Sequence, residues 1–126
     1  MANEVIITHQ APAPIGPYSQ AVKTGNLVFI SGQIPLNPAT GELEMQSIET
    51  ETHCVMKNLQ AVLTQAGSSF DKVVKTTIFL SDMSLFAQVN EVYGSYFTGQ
   101  FPARETVAVK GLPKAVNVEI SMIASV

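Results

Sequence analysis

Tryptophan is absent from the 126-residue chain, and cysteine and arginine occur once each, as Cys54 and Arg104. A single cysteine permits no intrachain disulfide and builds no cysteine metal cage, so neither oxidation nor thiolate-held zinc can support the fold. Charge is scarce as well. Asp, Glu, Lys and Arg make up 13% of residues, against roughly 25% in an average soluble domain. Seven basic and ten acidic side chains leave a formal net charge of −3. That balance disfavours nucleic acid and anionic membranes as partners, because phosphate-rich surfaces are held by clustered cations. No apolar run approaches the ~20 residues of a membrane span, and the start MANEVIITHQ lacks a basic segment followed by an apolar stretch. The expectation is a soluble, cytoplasmic protein. Even composition, with no linker, repeat or low-complexity tract, predicts one domain over residues 1–126. Hydrophobic residues at 46% beside so little charge predict that other subunits cover part of the surface.

Periodicity supplies the element order. Short β-prone runs at 5–8, 20–23 and 27–34 are separated by the proline-rich loop APAPIGPYS and by a hairpin turn at Thr24-Gly25-Asn26. Residues 47–67 read as a helix: Ser47 can cap it, Glu49 and Glu51 suit its first turn, and Gly67 can end it. Ile48, Thr52, Val55, Leu59, Val62 and Ala66 form its apolar stripe. Residues 71–80 alternate as a strand, with Val74, Thr76, Ile78 and Leu80 on one side and Val73, Lys75, Thr77 and Phe79 on the other. Asp82 or Ser84 can cap a second helix that presents Phe86, Val89, Tyr93, Tyr96 and Phe97 and stops before Gly99 and Pro102. Residues 104–110 form a further strand, and VNVEISMIASV a last one with Val116, Val118, Ile120, Met122 and Ala124 on one face. The order β-β-β-α-β-α-β-β predicts an α+β fold, a sheet of about six strands with both helices on one face. The other face then needs cover, which predicts an obligate homo-oligomer.

Arg104 is the most informative single residue. A chain that uses Lys for its six other cations gives its lone guanidinium no solubility role that Lys could not fill. Beside a loop at the start of a strand, its planar fork of donors can take a carboxylate through two parallel hydrogen bonds; a surface or interface salt bridge is the plainer reading. Glu119 lies mid-strand among β-branched residues, where burial would raise its pKa into a useful range for acid–base work; a solvated outward Glu is the alternative. Tyr18 and Ser31 border turns and read equally as a packed aromatic and a turn hydroxyl. Asn90, one turn after Phe86, reads as a local hydrogen-bonding amide. His9 and His53 have no partner at metal spacing, and Cys54 is a small buried hydrophobe, so no metal site is expected. No phosphate-cradling glycine loop, dinucleotide fingerprint or Ser-His-Asp arrangement is visible.

The segments IGPYSQAV, VFISGQIPLNPATGEL, VVKTTIFLSDMSLFAQVNEVYGSYF, FPAR and LPKAVNVEISMIA, in this order over nearly the full length, closely resemble the Rid (YjgF-type) family and its deaminase branch. The resemblance implies a chorismate-mutase-like fold, a homotrimer, and clefts between adjacent subunits that bind small 2-keto or 2-imino acids. It also implies cofactor-free hydrolysis of reactive 2-imino acids such as 2-iminobutanoate and 2-iminopropanoate, released by pyridoxal-phosphate-dependent dehydratases, to 2-keto acids and ammonia. Carried over by motif, Arg104 of FPAR clamps the carboxylate and Glu119 of VEI activates water. Tyr18 of GPY, Ser31 of SGQ and Asn90 of VNEVY line the cleft. Thr106 stands where many relatives have cysteine and meets the substrate through its backbone. Glu105 adds a charge next to the clamp, which bears on substrate preference if it points inward. A non-catalytic protein that senses small carboxylates is the competing function. An RNA-cleaving role gains little from a chain with one arginine and no paired histidines.

Overall fold

The computed structural model describes residues 3–126. Its strands are β1 (Glu4–Ile6), β2 (Ala21–Thr24), β3 (Leu27–Gln33), β4 (Val73–Leu80), β5 (Ala103–Ala108) and β6 (Val118–Ser125), with helices α1 (Ile48–Gln65) and α2 (Phe86–Gly94). They form one six-stranded sheet in the order β1-β2-β3-β6-β4-β5. The expected element order and the α+β class are both observed. Neighbouring strands are antiparallel except β4 and β5. A parallel pair cannot be joined by a tight hairpin and needs a crossover, which α2 supplies.

Helix α1 forms where its signals stand. Ser47 Oγ accepts from the Thr50 N–H at 3.1 Å, satisfying one orphan donor of the first turn. Gly67 takes φ +80°, and the Ser68 N–H closes back on the Leu63 carbonyl at 2.8 Å. Val55, Met56, Leu59, Val62 and Leu63 are fully buried, a wider face than the expected stripe. They pack on the inner face of the sheet, where Val28, Ile30, Ile78, Leu80, Val118, Ile120, Met122 and Ala124 are also buried. Each such large side chain contributes about 1.5–3 kcal/mol.

Three boundaries differ from expectation. The alternation of β4 shifts at a bulge between Val73 and Lys75, so Val73 enters the core while Val74 turns out to solvent. Helix α2 ends at Gly94, so Tyr96 and Phe97 lie beyond it, yet both still pack against the core. A short 3-10 turn, Met83–Leu85, precedes α2, with Asp82 accepting from the Ser84 N–H at 2.8 Å.

Glu51 is 1% exposed, and its two carboxylate oxygens accept from Asn117, one from the backbone N–H at 3.1 Å and one from Nδ2 at 2.7 Å. This grip ties α1 to the chain just before β6. Ser81 joins it, donating its N–H to the Asn117 carbonyl at 2.9 Å and its hydroxyl to Oδ1 at 2.8 Å. A glutamine at position 51 would point an NH₂ group at one of two donors. Glu51→Gln is therefore expected to cost about 1–3 kcal/mol, measured by urea unfolding.

The outer face of the sheet carries no helix. Phe29 is 43% and Val107 45% exposed there, beside half-buried Phe79 and Ile123. Glu119, Ser121, Thr77, Lys75 and Glu105 share this face by strand alternation.

Candidate active site

Arg104 is the second residue of β5, the edge strand beside β4. It is in register with Thr76 of β4, whose side chain is buried on the inner face, so the guanidinium also points to the helix side. There it meets α2. Its Cζ lies 5.6 Å from the Phe86 ring centroid and 5.2 Å from that of Tyr93. Asn90 lies between these rings in the same helical stripe. A cavity of about 330 Å³ opens beside it, lined by Asn90, Tyr93, Gly94, Phe101, Pro102 and Arg104. Among the described residues Arg104 has no carboxylate partner, so the surface salt bridge is not formed. An unpaired guanidinium and a side-chain amide over apolar walls can grip one carboxylate and seat an apolar substituent.

Glu119 lies on the opposite face. It is in register with Phe79 of β4, which in turn faces Val107 of β5, and all three point outward. The carboxyl group is half-buried and accepts no hydrogen bond from the described residues, and burial pushes its pKa above the usual carboxylate value. A desolvated, unpartnered carboxyl with a raised pKa is suited to exchanging protons. Its position depends on a close approach to β3, where the register shifts between Ile30 and Gln33. A Cβ on Gly32 would come within 2.8 Å of the Glu119 carboxyl carbon and 3.0 Å of its Cγ, and closer still to Oε2. Gly32→Ala is therefore expected to push the carboxylate aside without unfolding the sheet. Displacements of about 1 Å cost on the order of 10²-fold in rate, so any reaction that uses the Glu119 carboxyl should slow by that much while the thermal midpoint barely moves.

Ser31 adjoins Gly32. Its hydroxyl donates to the Ser19 carbonyl at 2.6 Å, binding the strand to the loop that carries Tyr18. Tyr18 is half-exposed, and its oxygen accepts from the Ile15 N–H at 3.4 Å. The predicted residues thus fall into two groups: Arg104 and Asn90 on the helix side at the β5 edge, and Glu119, Ser31 and Tyr18 around β3 and β6. Strand β4 and the thickness of the sheet separate them, so one protomer does not bring Arg104 and Glu119 together. Thr106 follows Arg104 on the inner face, with its Oγ1 buried and unpartnered. Glu105 points away from the clamp, to the outer face, where its carboxylate pairs with Lys75 Nζ at 3.4 Å and takes a long contact of 3.5 Å from Thr77 Oγ1.

Phe86, Tyr93 and Gly32 were not singled out from the sequence as site residues. Two aromatics seven residues apart, with an amide between them, on the helix before the arginine strand are the signal that was available. Cys54 is buried as expected, and that burial together with nearby Glu44 pushes its thiol pKa up to about 11, which leaves it protonated and unreactive. His53 Nδ1 is 2.7 Å from the Tyr96 hydroxyl oxygen, a structural tie between α1 and the segment after α2. No helix among the described residues is long and apolar enough to cross a membrane.

A six-stranded sheet with two helices on one face, an arginine cavity at one edge and a half-buried carboxyl on the bare face together define a small α+β protein whose candidate groups lie on more than one surface. The family described as Endoribonuclease L-PSP matches residues 8–126, and the chain belongs to this Rid (YjgF) family. A RutC family protein of Pyrococcus abyssi is 51% identical over 124 residues, 98% of each chain. Reactive Intermediate Deaminase A of Arabidopsis thaliana, a chloroplastic protein, is 47% identical over 122 residues, 97% of this chain and 65% of that one. The crystal structure of a Rid family protein from Yersinia pestis superposes with a TM-score of 0.97 at 52% identity, covering 99% of this chain and all of that one.

Proposed function

We propose that the protein hydrolyses small 2-imino acids to 2-keto acids and ammonia, in clefts where the β5 edge of one copy meets the outer sheet face of the next within a homotrimer. The observation that carries this reading is the pair of unpartnered groups, a free guanidinium and a desolvated carboxyl, on opposite faces of one sheet. Either group alone has half of the needed chemistry. The apolar outer face supports the assembly, since Phe29, Phe79, Val107 and Ile123 form a surface a monomer would leave in water. The relative named Reactive Intermediate Deaminase A supports the reaction class.

In this mechanism Arg104 holds the substrate carboxylate through two parallel hydrogen bonds, with Asn90 beside it. The substituent lies against Phe101 and Tyr93. With a single cation in the cavity, substrates bearing one carboxylate and an apolar side chain fit best. Tyr18, Ser31 and the backbone at Thr106 complete the enclosure. Glu119 accepts a proton from a water as its oxygen bonds to the imine carbon, and returns that proton to nitrogen. The new hydroxyl proton then passes by the same route to nitrogen as the C–N bond breaks, the carbonyl forms and ammonia leaves. Imines hydrolyse unaided in water, so holding the reactants in place suffices for much of the acceleration.

The test generates 2-iminobutanoate in situ with a threonine dehydratase and follows its loss by trapping with semicarbazide. Added protein should shorten the imine's lifetime, and an unchanged lifetime would refute the activity. Sedimentation should give three times the 13.5 kDa chain mass, and a monomer that still turned over would refute the shared cleft.

A further inference from the structure

The cations of this chain are otherwise lysines, and the one guanidinium is held by aromatic faces. Phe86 and Tyr93 lie two helical turns apart on α2, so their rings project from the same side. Both centroids fall within the ~6 Å at which a cation is attracted to a ring face. The two rings differ in anchorage. Phe86 is 37% exposed, whereas Tyr93 is 3% exposed and its hydroxyl donates to Thr76 Oγ1 at 2.9 Å, a bond buried on both sides. Thr76 is the β4 residue in register with Arg104. The Arg104 backbone and the ring against its side chain are therefore fixed by the same point of the sheet. Phe97, 4.8 Å from Tyr93 by ring centroids, braces that ring from the segment after α2.

We propose that Tyr93, anchored by Thr76, and Phe86 are positioning residues that orient the Arg104 guanidinium while leaving its hydrogen-bond donors free. The chemistry favours rings over an acidic partner. A guanidinium's five N–H groups lie in its own plane, and a carboxylate holding it would take the paired donors that a substrate carboxylate needs. Ring faces attract the charge without taking a donor, so the fork remains available to an incoming carboxylate. Pre-ordering a long side chain also removes an entropic cost from binding. Such a device strengthens ground-state and transition-state binding equally, so its loss should raise KM and leave kcat unchanged.

The kinetic part of the test rests on the proposed imine hydrolysis, and a spectroscopic part does not. Because Arg104 is the only arginine, its Nε–H gives a single side-chain signal in a ¹⁵N-labelled sample. In the unmodified protein that signal should be ring-current shifted and show restricted motion. Phe86→Leu and Tyr93→Leu should move it toward the position of a free arginine and make it mobile, whereas Tyr93→Phe, which keeps the ring, should preserve it. Tyr93→Phe instead leaves Thr76 Oγ1 buried without its partner and should lower stability. A role confined to packing would show the opposite order, with the signal following stability across the three variants. Phe86 is partly exposed, so Phe86→Leu should fold and keeps the test decisive if Tyr93→Leu does not. For Phe86→Leu, KM for the imine and Kd for 2-oxobutanoate should rise roughly three- to tenfold with kcat unchanged. A mobile signal in the unmodified protein, a signal indifferent to loss of Phe86, or an unchanged Kd in a variant whose signal has become mobile would overturn the proposal. Absence of imine turnover by a protein whose signal behaves as expected would refute the proposed reaction and leave the aromatic device standing.

Discussion

Arg104→Ala is expected to leave a folded oligomer that no longer accelerates imine loss. In the proposed mechanism the guanidinium gives two charge-assisted hydrogen bonds to the substrate carboxylate, each worth about 1.5–3 kcal/mol, so their removal should lower kcat/KM by roughly 10²- to 10⁴-fold. Stability should change little, because the side chain is half-buried at a sheet edge and pairs with no carboxylate among the described residues. The loss of its contact with Phe86 and Tyr93 is worth about 0.5–2 kcal/mol. Arg104→Lys sharpens the result. Lysine keeps the charge but offers no planar fork, so most of the activity should still be missing. Steady-state kinetics on both variants, with unfolding midpoints alongside, check the assignment. Normal kcat/KM in Arg104→Ala would remove the clamp.

The second large effect belongs to Glu119. Glu119→Gln retains shape and removes proton exchange, so kcat should fall roughly 10²- to 10⁴-fold, while calorimetry finds 2-oxobutanoate binding nearly unchanged. Burial raises the carboxyl's pKa, and two pH signatures follow. As a base the group must be ionised, so the rate should climb as pH rises through that elevated pKa and level off above it, and the glutamine variant should lack the step. Stability moves the other way. A carboxyl whose folded-state pKa exceeds its unfolded value favours the native state while protonated, and that contribution is lost as pH rises through the folded value. Glu119→Gln should therefore unfold at the same or a higher denaturant concentration than the unmodified protein at pH 7, with the difference vanishing in acid. A slow variant that was also less stable at neutral pH would point to a structural carboxylate.

Much of the fold was legible where local chemistry and periodicity agree. Helix α1 has its Ser47 cap, its first-turn acids and its Gly67 stop, and β6 alternates without a break from Val118 to Ala124. The bulge in β4 was not legible, because Val73 and Val74 are chemically identical and only the pairing with β6 decides which faces in. The end of α2 is not legible either, because Tyr96 and Phe97 keep helical spacing and still reach the core after the helix stops at Gly94. Among site residues, Arg104 stood out by its rarity alone. Its aromatic neighbours did not, since Phe86 and Tyr93 fit the same pattern as core residues. The separation of Arg104 from Glu119 was hidden for a different reason. It follows from β4 lying between β6 and β5 in the sheet, and strand order is set by long-range pairing that no local pattern encodes.

With the clamp and the proton carrier looking out from opposite sides of one sheet, a ring of copies would share its catalytic parts among neighbours. Two inactive preparations, one bearing Arg104→Ala and the other Glu119→Gln, should accordingly regain activity when unfolded together and reassembled. Each mixed ring of three would hold about one intact crevice, made from the sound half of each kind of chain. On that reading dilution would act as an off-switch: below the concentration at which copies dissociate, the chemistry would be lost.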